Sequence, residues 1–398
     1  MKTPAIHASW WVIVAGVCAA LHIAKLSPAL PALQQALQIS LVQAGFLLSA
    51  VQVASMTLGL LVGSGVDSLG LRRSMLTGLV VLSTASVLGG CVQHAEGLLA
   101  LRVMEGLGFL MTVMPAPALI RRTCSPAQLN ARLGWWGTYM PLGSACALLV
   151  GPLWIAALGW ELWWWALAAM TLLAAGAVWR FVPVVPALKD ASGVSWSSRL
   201  RLTLASAGPW WVALSFAVYS SQWLAVVGFL PTVYGQMGLS AATIGVLSAL
   251  VAAANVTGNI ASGRLLQSGW PPRRLLSLGF GVMALGATGA FGQWDGVGLS
   301  AAGRFVCVFV FSAVGGLIPG TLFSMAVRLS PSEATVSTTV GYVQQWSAFG
   351  QFAGPPLVAF VAALAGGWQW TWCVTSALCV LGLLLAQRIE RELKRTTA

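Results

Sequence analysis

Five ionisable residues lie inside long apolar stretches of the chain, and these are the residues most able to do chemistry. They are three cations, Lys25, Arg102 and Arg304, one carboxylate, Glu105, and one imidazole, His22. Charged side chains are costly in hydrocarbon, so those found there bind a substrate, carry a proton or pair with one another. Every other Lys or Arg falls in the short gaps between apolar stretches, always on the same side.

This distribution and the composition predict a protein that crosses a membrane many times. Hydrophobic residues make up 58% of the chain and charged residues 8%, whereas a soluble domain carries about 25% charged residues. Basic residues confined to alternate gaps mark those gaps as cytoplasmic. The net charge of +12 is spread over successive gaps without forming one patch, which argues against a nucleic-acid partner.

Twelve apolar stretches are long enough to cross a bilayer, whose core of about 30 Å needs about 20 helical residues. The sequence therefore predicts an all-α membrane protein with helices at 9–31, 41–65, 74–92, 98–120, 131–157, 162–181, 208–231, 240–266, 274–292, 300–326, 337–364 and 370–387. Both termini fall on the basic side. We expect a multi-pass protein of the inner membrane that retains its first helix and keeps both termini cytoplasmic.

The two halves of the sequence resemble each other at nearly constant spacing. The matched pairs include Arg102 and Arg304, Ser125-Pro126 and Ser330-Pro331, and Gly151-Pro152 and Gly354-Pro355. We predict an N-terminal six-helix bundle at 1–181, a cytoplasmic linker at 182–207 and a C-terminal six-helix bundle with a short tail at 208–398. Parallel repeats of this kind enclose a central site that opens alternately to each side of the membrane.

The gap after the second apolar stretch carries a recognisable motif. It reads Gly63-Ser-Gly-Val-Asp67-Ser-Leu-Gly70-Leu-Arg72-Arg73. The string resembles the loop signature of the major facilitator superfamily, G-x-x-x-D-R-x-G-R-R/K, and departs from it at Ser68 and Leu71. The resemblance implies two bundles of six helices and a gating latch in this loop. The latch residues would be Gly63, Asp67, Gly70, Arg72 and Arg73.

The fourth apolar stretch begins a second match to the same family. Arg102-Val-Met-Glu105-Gly106-Leu-Gly108 resembles the pattern R-x-x-Q-G-x-G of the family's fourth helix. The segment from Val113-Met-Pro115 to Gly143 is also similar, more weakly, to the cyanate and nitroimidazole transporter branch. That second similarity covers two helices only, and we do not assign cyanate from it.

Arg102 and Glu105 stand three residues apart, so they share a helical face and can pair. One interpretation is a self-neutralising pair that lets a polar face point inward. In the other, an anion that binds Arg102 releases Glu105, which then takes up a proton. His22 is a further candidate proton carrier, because imidazole titrates near neutral pH.

The resemblance implies that helices 1, 4, 7 and 10 line a central cavity, which would hold the three cations within the apolar stretches. Clustered cations attract anions, and an arginine fork suits a carboxylate. Aromatic side chains at Tyr139, Trp223 and Trp346 are candidates for the cavity wall. The alternatives are headgroup contact for the arginines and helix packing for the aromatics. A group at one predicted helix end reads as an interfacial belt: Trp160, Trp163, Trp164 and Trp165.

We therefore expect a monomeric secondary active transporter that moves a small organic anion with protons by alternating access. The alternative is a proton-coupled exporter of hydrophobic or cationic compounds. The seven cysteines form no C-x-x-C pair, and neither a metal-ligand set nor a phosphate-binding glycine loop is present in the sequence. We expect no enzyme activity, no cofactor and no metal, and the partners are the anion, protons and the lipid bilayer.

Overall fold

The computed structural model describes residues 8–59, 70–125, 128, 132, 135–184, 195–294 and 297–397. Within these ranges twelve helices are long and apolar enough to cross a membrane. We number them spans 1–12: Ala8–Leu37, Leu41–Gly59, Leu71–Gly89, Ala95–Thr123, Tyr139–Leu158, Trp160–Phe181, Ala207–Gln236, Ala241–Gln267, Pro272–Phe291, Ala301–Arg328, Glu333–Ala365 and Trp368–Arg395. The prediction of an all-α membrane fold is confirmed.

Two smaller elements join the spans. The helix Trp196–Ala205 precedes span 7, and its N-cap Ser195 accepts a hydrogen bond from the backbone of Ser198 at 3.2 Å. Between spans 9 and 10, the strands Gln293–Trp294 and Val297–Gly298 pair antiparallel.

Four of the described spans are interrupted: span 2 by the 3-10 segment Ala50–Gln52, which has no proline, and three others where prolines account for the break. Span 1 divides into Ala8–Ala24 and Leu26–Leu37, span 4 into Ala95–Val113 and Ala116–Thr123, and span 10 into Ala301–Gly315 and Leu317–Arg328. Proline has no N–H for the carbonyl four residues earlier. Pro115 thus leaves the carbonyl of Met111 without its helical partner, and the Ser74 hydroxyl donates to it at 3.2 Å.

Contacts divide the described residues into two compact units. Unit 1 takes those within Met1–Gln43, Ala50–Ala191 and Leu230–Ala249, and unit 2 those within Ala44–Ser49, Ser192–Phe229 and Leu250–Ala398. In unit 1 span 3 packs on spans 4 and 6, and in unit 2 span 9 packs on spans 10 and 12. The equivalent packing is what an internal repeat produces, while the bundle boundaries at 182–207 stay a prediction.

Burial along the spans follows the same repeat. Spans 1 and 7, which take the first position in each half, are the most enclosed. In each, most of an 18-residue apolar segment is buried, 89% in span 1 and 83% in span 7. In the other spans 33–56% of the corresponding 18-residue segment is buried. Span 1 therefore places its polar residues inside protein, and His22 and Lys25 lie on it.

Candidate functional site

Four ionisable side chains meet inside unit 1 and form what we call the charge cluster: His22, Lys25, Arg102 and Glu105. His22 and Lys25 stand one turn apart where span 1 breaks. Arg102 and Glu105 stand one turn apart on span 4. All four are enclosed, with at most 1% of their surface exposed. Charges at such depth persist only when paired and hydrogen-bonded.

Glu105 binds both cations through different carboxylate oxygens. Oε2 accepts a hydrogen bond from Arg102 Nη1 at 2.5 Å, and Oε1 accepts one from Lys25 Nζ. The predicted pairing of Arg102 with Glu105 is confirmed, and Lys25 joins it. Because one carboxylate serves two cations, the charge cluster carries a net charge of +1 when His22 is neutral.

Arg102 also stabilises the broken backbone of span 1. Nη1 donates to the carbonyl of His22 at 2.7 Å, and Nη2 donates to the carbonyl of Ile23 at 3.4 Å. The indole Nε1 of Trp163 donates to the carbonyl of Lys25 at 3.2 Å. Pro28 interrupts the helical hydrogen bonds one turn later. Side chains from spans 4 and 6 therefore bind the carbonyls that lie beside the break.

The hydrogen bonds of His22 determine its tautomer. Thr171 donates its hydroxyl proton to the carbonyl of Leu167 at 2.9 Å, so its oxygen accepts from His22 Nε2 at 2.8 Å. His22 Nδ1 then carries a lone pair, which accepts from Lys25 Nζ at 3.3 Å. His22 is neutral in this arrangement and contributes an acceptor to the charge cluster.

Span 6 contributes residues that the sequence placed elsewhere. Trp160, Trp163 and Trp164 are buried, so assigning them to an interfacial belt was wrong, and only Trp165 of that group is exposed. The Trp164 ring lies 4.5 Å from Lys25 Nζ. Trp160, Trp164, Leu167, Thr171 and Ala175 recur every three or four residues on the buried face. This helical spacing is the sequence signal for a buried face on span 6. The four neighbouring tryptophans instead suggested residues at the membrane interface.

Arg304 lies in unit 2, whereas Lys25 and Arg102 lie in unit 1. Its side chain is half-buried at the beginning of span 10, and Nε donates to the carbonyl of Leu299 at 2.9 Å. Arg304 matches Arg102 in the repeat, but Cys307 stands where Glu105 stands on span 4. Without a carboxylate one turn away, the guanidinium binds the carbonyl of its own loop instead.

The three predicted aromatic residues take different positions. Tyr139 stacks on Trp136 with ring centroids 4.3 Å apart in unit 1. Trp223 donates through Nε1 to the hydroxyl of Ser312 at 3.1 Å in unit 2. Trp346 packs edge-on against Trp210 at 5.6 Å. Tyr342 and Phe349 also pack against Trp346 and complete an aromatic group in unit 2.

The predicted gating loop is described in part. Gly63 and Asp67 lie outside the described residues. Gly70 has a φ of +85°, a conformation that favours glycine, and it directly precedes span 3. Arg72 donates to the carbonyl of Trp179 at the end of span 6, and Arg73 is exposed. Arg72 thus ties span 3 to span 6, and the latch role stays a prediction.

The described sequence and geometry agree with a comparison against known families. A sequence model of the Major Facilitator Superfamily matches residues 12–343 and 212–397 in two overlapping segments. The chain belongs to the Major Facilitator Superfamily. It is therefore a multi-pass membrane transporter and not an enzyme.

Relatives within the superfamily differ in their named activities. The cyanate transport protein CynX of Escherichia coli (strain K12) is 23% identical over 369 residues, which cover 91% of each protein. A chloramphenicol resistance protein of Pseudomonas aeruginosa is 26% identical over 269 residues. That match covers 65% of this chain but only 62% of the Pseudomonas protein. The weak resemblance to the cyanate branch is confirmed, beside relatives named for drug resistance.

A solved structure shows the same fold along almost the whole chain. The bacterial homologue of the human lysosomal transporter Spinster, crystallised in an inward-facing and occupied conformation, superposes with a TM-score of 0.82. The superposition covers 98% of both chains at 15% sequence identity. This likeness extends to the fold of a facilitator-superfamily transporter and leaves the substrate open.

Proposed function

We propose that this superfamily transporter moves a small organic anion together with a proton. The observation that supports the proposal is the enclosure in unit 1 of two basic side chains, Lys25 and Arg102, around one carboxylate, Glu105, which gives a formal charge of +1. A buried, uncompensated cation attracts an anion strongly because little solvent screens it. The relative that matches along 91% of the chain is named for transport of cyanate, which is itself a small anion.

The coupling step follows from the two oxygens of Glu105. An anion that reaches Lys25 and Arg102 competes with the Glu105 carboxylate for their N–H donors. Glu105 then takes up one proton, while the anion replaces its negative charge on the two cations. One proton and one anion enter, so the net charge of the cluster stays at +1. In this proposal Glu105 carries the proton, and His22 serves as a relay to it.

The second candidate function is export of hydrophobic or cationic compounds. It is supported by the chloramphenicol resistance protein among the relatives and by the aromatic group around Trp346. Aromatic faces bind apolar and cationic ligands without a counter-charge. In that case the charge cluster would serve proton coupling alone, and substrate would bind elsewhere.

Uptake measurements distinguish the two functions. We expect proteoliposomes that contain the purified protein to accumulate a small anion when the outside is acidic, and to stop when a protonophore collapses the gradient. The probes are cyanate and a panel of radiolabelled short carboxylates. Liposomes with the Arg102→Gln protein are the matched control. Gradient-driven movement of lipophilic dyes with no anion uptake would instead support the exporter.

We also propose that the protein lies in the inner membrane as a monomer with both termini in the cytoplasm. Cys91 follows span 3 and is exposed, so this orientation places it outside the cytoplasm. A membrane-impermeant maleimide is then expected to label Cys91 in intact spheroplasts, and Cys91→Ser should remove that labelling. Labelling only after lysis would reverse the orientation. Light scattering of the purified protein measures the oligomeric state.

A further inference from the structure

We propose that Ser86, Trp164 and Thr171 form a cation cradle that keeps Lys25 charged when Glu105 is neutral. This inference rests on the proposed function for its role in coupling, because there Glu105 is the group that takes up the proton. The claim that the cradle keeps Lys25 charged does not require that function. In the cradle Ser86, Trp164 and, through His22, Thr171 act as positioning residues for Lys25, and none of them binds substrate.

Ser86 offers Lys25 an oxygen whose own proton is already committed. The Ser86 hydroxyl donates to the carbonyl of Trp164 at 2.9 Å. Its lone pair therefore faces Lys25 Nζ, which lies 2.8 Å away and can only donate. The span 6 backbone thus orients a neutral acceptor towards the ammonium, independently of Glu105.

His22 offers a second acceptor by the same arrangement. The chain of hydrogen bonds from His22 Nε2 through Thr171 to the carbonyl of Leu167 fixes the proton on Nε2. His22 Nδ1 is left as an acceptor 3.3 Å from Lys25 Nζ. Both chains of hydrogen bonds end on backbone carbonyls of span 6, at Trp164 and Leu167.

Trp164 completes the cradle with an aromatic face. Lys25 Nζ lies 4.5 Å from the ring centroid, and the ring has no exposed surface. The attraction between an ammonium and a tryptophan face is stronger when both groups are desolvated. Unlike a carboxylate, the ring cannot be protonated, so this attraction is the same before and after Glu105 takes up a proton.

Side chains from spans 1, 3, 4 and 6 surround Lys25. The titratable side chains that contact it from spans 1 and 4 are His22 and Glu105, and the charged Arg102 binds the other oxygen of Glu105. From spans 3 and 6 the ammonium is contacted by Ser86 and Trp164, while Trp163 binds the backbone carbonyl of Lys25. In the proposed function Glu105 carries the proton and His22 relays it, while the cradle keeps the charge on Lys25.

The test uses Glu105→Gln, which mimics the neutral glutamate, in detergent-purified protein without ligand. If the cradle holds Lys25 as an ammonium, unfolding takes up no proton there, and Tm stays level between about pH 7 and 9. Adding Trp164→Leu should leave a neutral lysine in the folded state. That lysine takes up a proton on unfolding, so Tm should rise by roughly 2–5 °C across the same range.

Matched variants separate the cradle from simple packing. Trp164→Phe keeps an aromatic face and should keep the level profile. Thr171→Val, a smaller change, should produce a rise if Trp164→Leu does not fold. Replacing Lys25 by arginine in the Trp164→Leu background should restore a level profile, because guanidinium stays charged. Equal slopes in Glu105→Gln with and without Trp164→Leu and Thr171→Val would overturn the cradle. Failure of anion uptake alone would overturn only the proposed function.

Discussion

Uptake of the anion is expected to fall at least about 100-fold when Lys25 is replaced by methionine, since truncating one partner of a buried, hydrogen-bonded charge costs several kcal/mol. Methionine fills nearly the same volume without a charge. The remaining Arg102 and Glu105 pair is neutral, so the charge cluster keeps its shape but loses the net charge that attracts the anion. Initial rates in proteoliposomes, normalised to the amount of folded transporter, measure the effect.

Arg304→Met is the matched control for this prediction. Arg304 is also a cation inside an apolar stretch, but its guanidinium lies on the carbonyl of Leu299 at the beginning of span 10. The Arg304→Met protein should therefore retain most of the anion uptake. If Lys25→Met transported normally, the anion site would not be at the charge cluster. If Arg304→Met lost uptake as completely as Lys25→Met, the prediction that all three cations bind the substrate would be supported.

The architecture was predictable because its causes are local. Hydrophobic stretches of about 20 residues, separated by gaps that carry basic residues on one side of the membrane only, determine twelve spans without knowledge of packing. The breaks in spans 1 and 4 were not predicted, although Pro28 and Pro115 each remove a helical hydrogen bond there. The remaining differences lie at span ends, such as residues 32–37 of span 1, which continue as helix beyond the predicted bound at 31.

The site was predictable only where a contact lies within one helix. The spacing of Arg102 and Glu105 indicates their pairing because both stand on span 4. The contact of Lys25 with Trp164 depends on how spans 1 and 6 rotate against each other, and hydropathy carries no such information. Arg304 shows the converse, since a residue matched in the repeat behaves differently once Cys307 replaces its carboxylate neighbour.

The polar residues of the second unit make the asymmetry of the repeat more explicit. There Asn255 donates to the hydroxyl of Tyr219 at 2.8 Å and to the carbonyl of Ser312 at 2.9 Å. Asn259 donates to the side-chain oxygen of Asn255 at 2.9 Å. These groups link spans 7, 8 and 10 without a formal charge. Proton coupling in our proposal therefore depends on unit 1, and its loss should follow from a change at Glu105.

Glu105→Gln is expected to separate anion transport from the proton gradient. The amide keeps the shape of the side chain but cannot take up a proton when the anion binds. Accumulation driven by an acidic exterior should disappear, while exchange of labelled for unlabelled anion across the membrane should continue. Uptake and exchange measured on the same proteoliposomes at several pH values test this, and Glu96→Gln on the same span is the matched control.

The same substitution should also destabilise the protein, because it leaves Lys25 and Arg102 without their shared counter-charge. Breaking a buried ion pair by removing one partner costs about 3–5 kcal/mol, and the cation cradle places the expected loss at the lower end. Adding Lys25→Met should recover part of it, since one of the two unpaired cations is then gone. A coupling of at least about 1 kcal/mol between the two substitutions is expected. Unchanged pH dependence of uptake in Glu105→Gln would remove Glu105 as the proton carrier, and additive effects on stability would show that Lys25 and Glu105 do not interact.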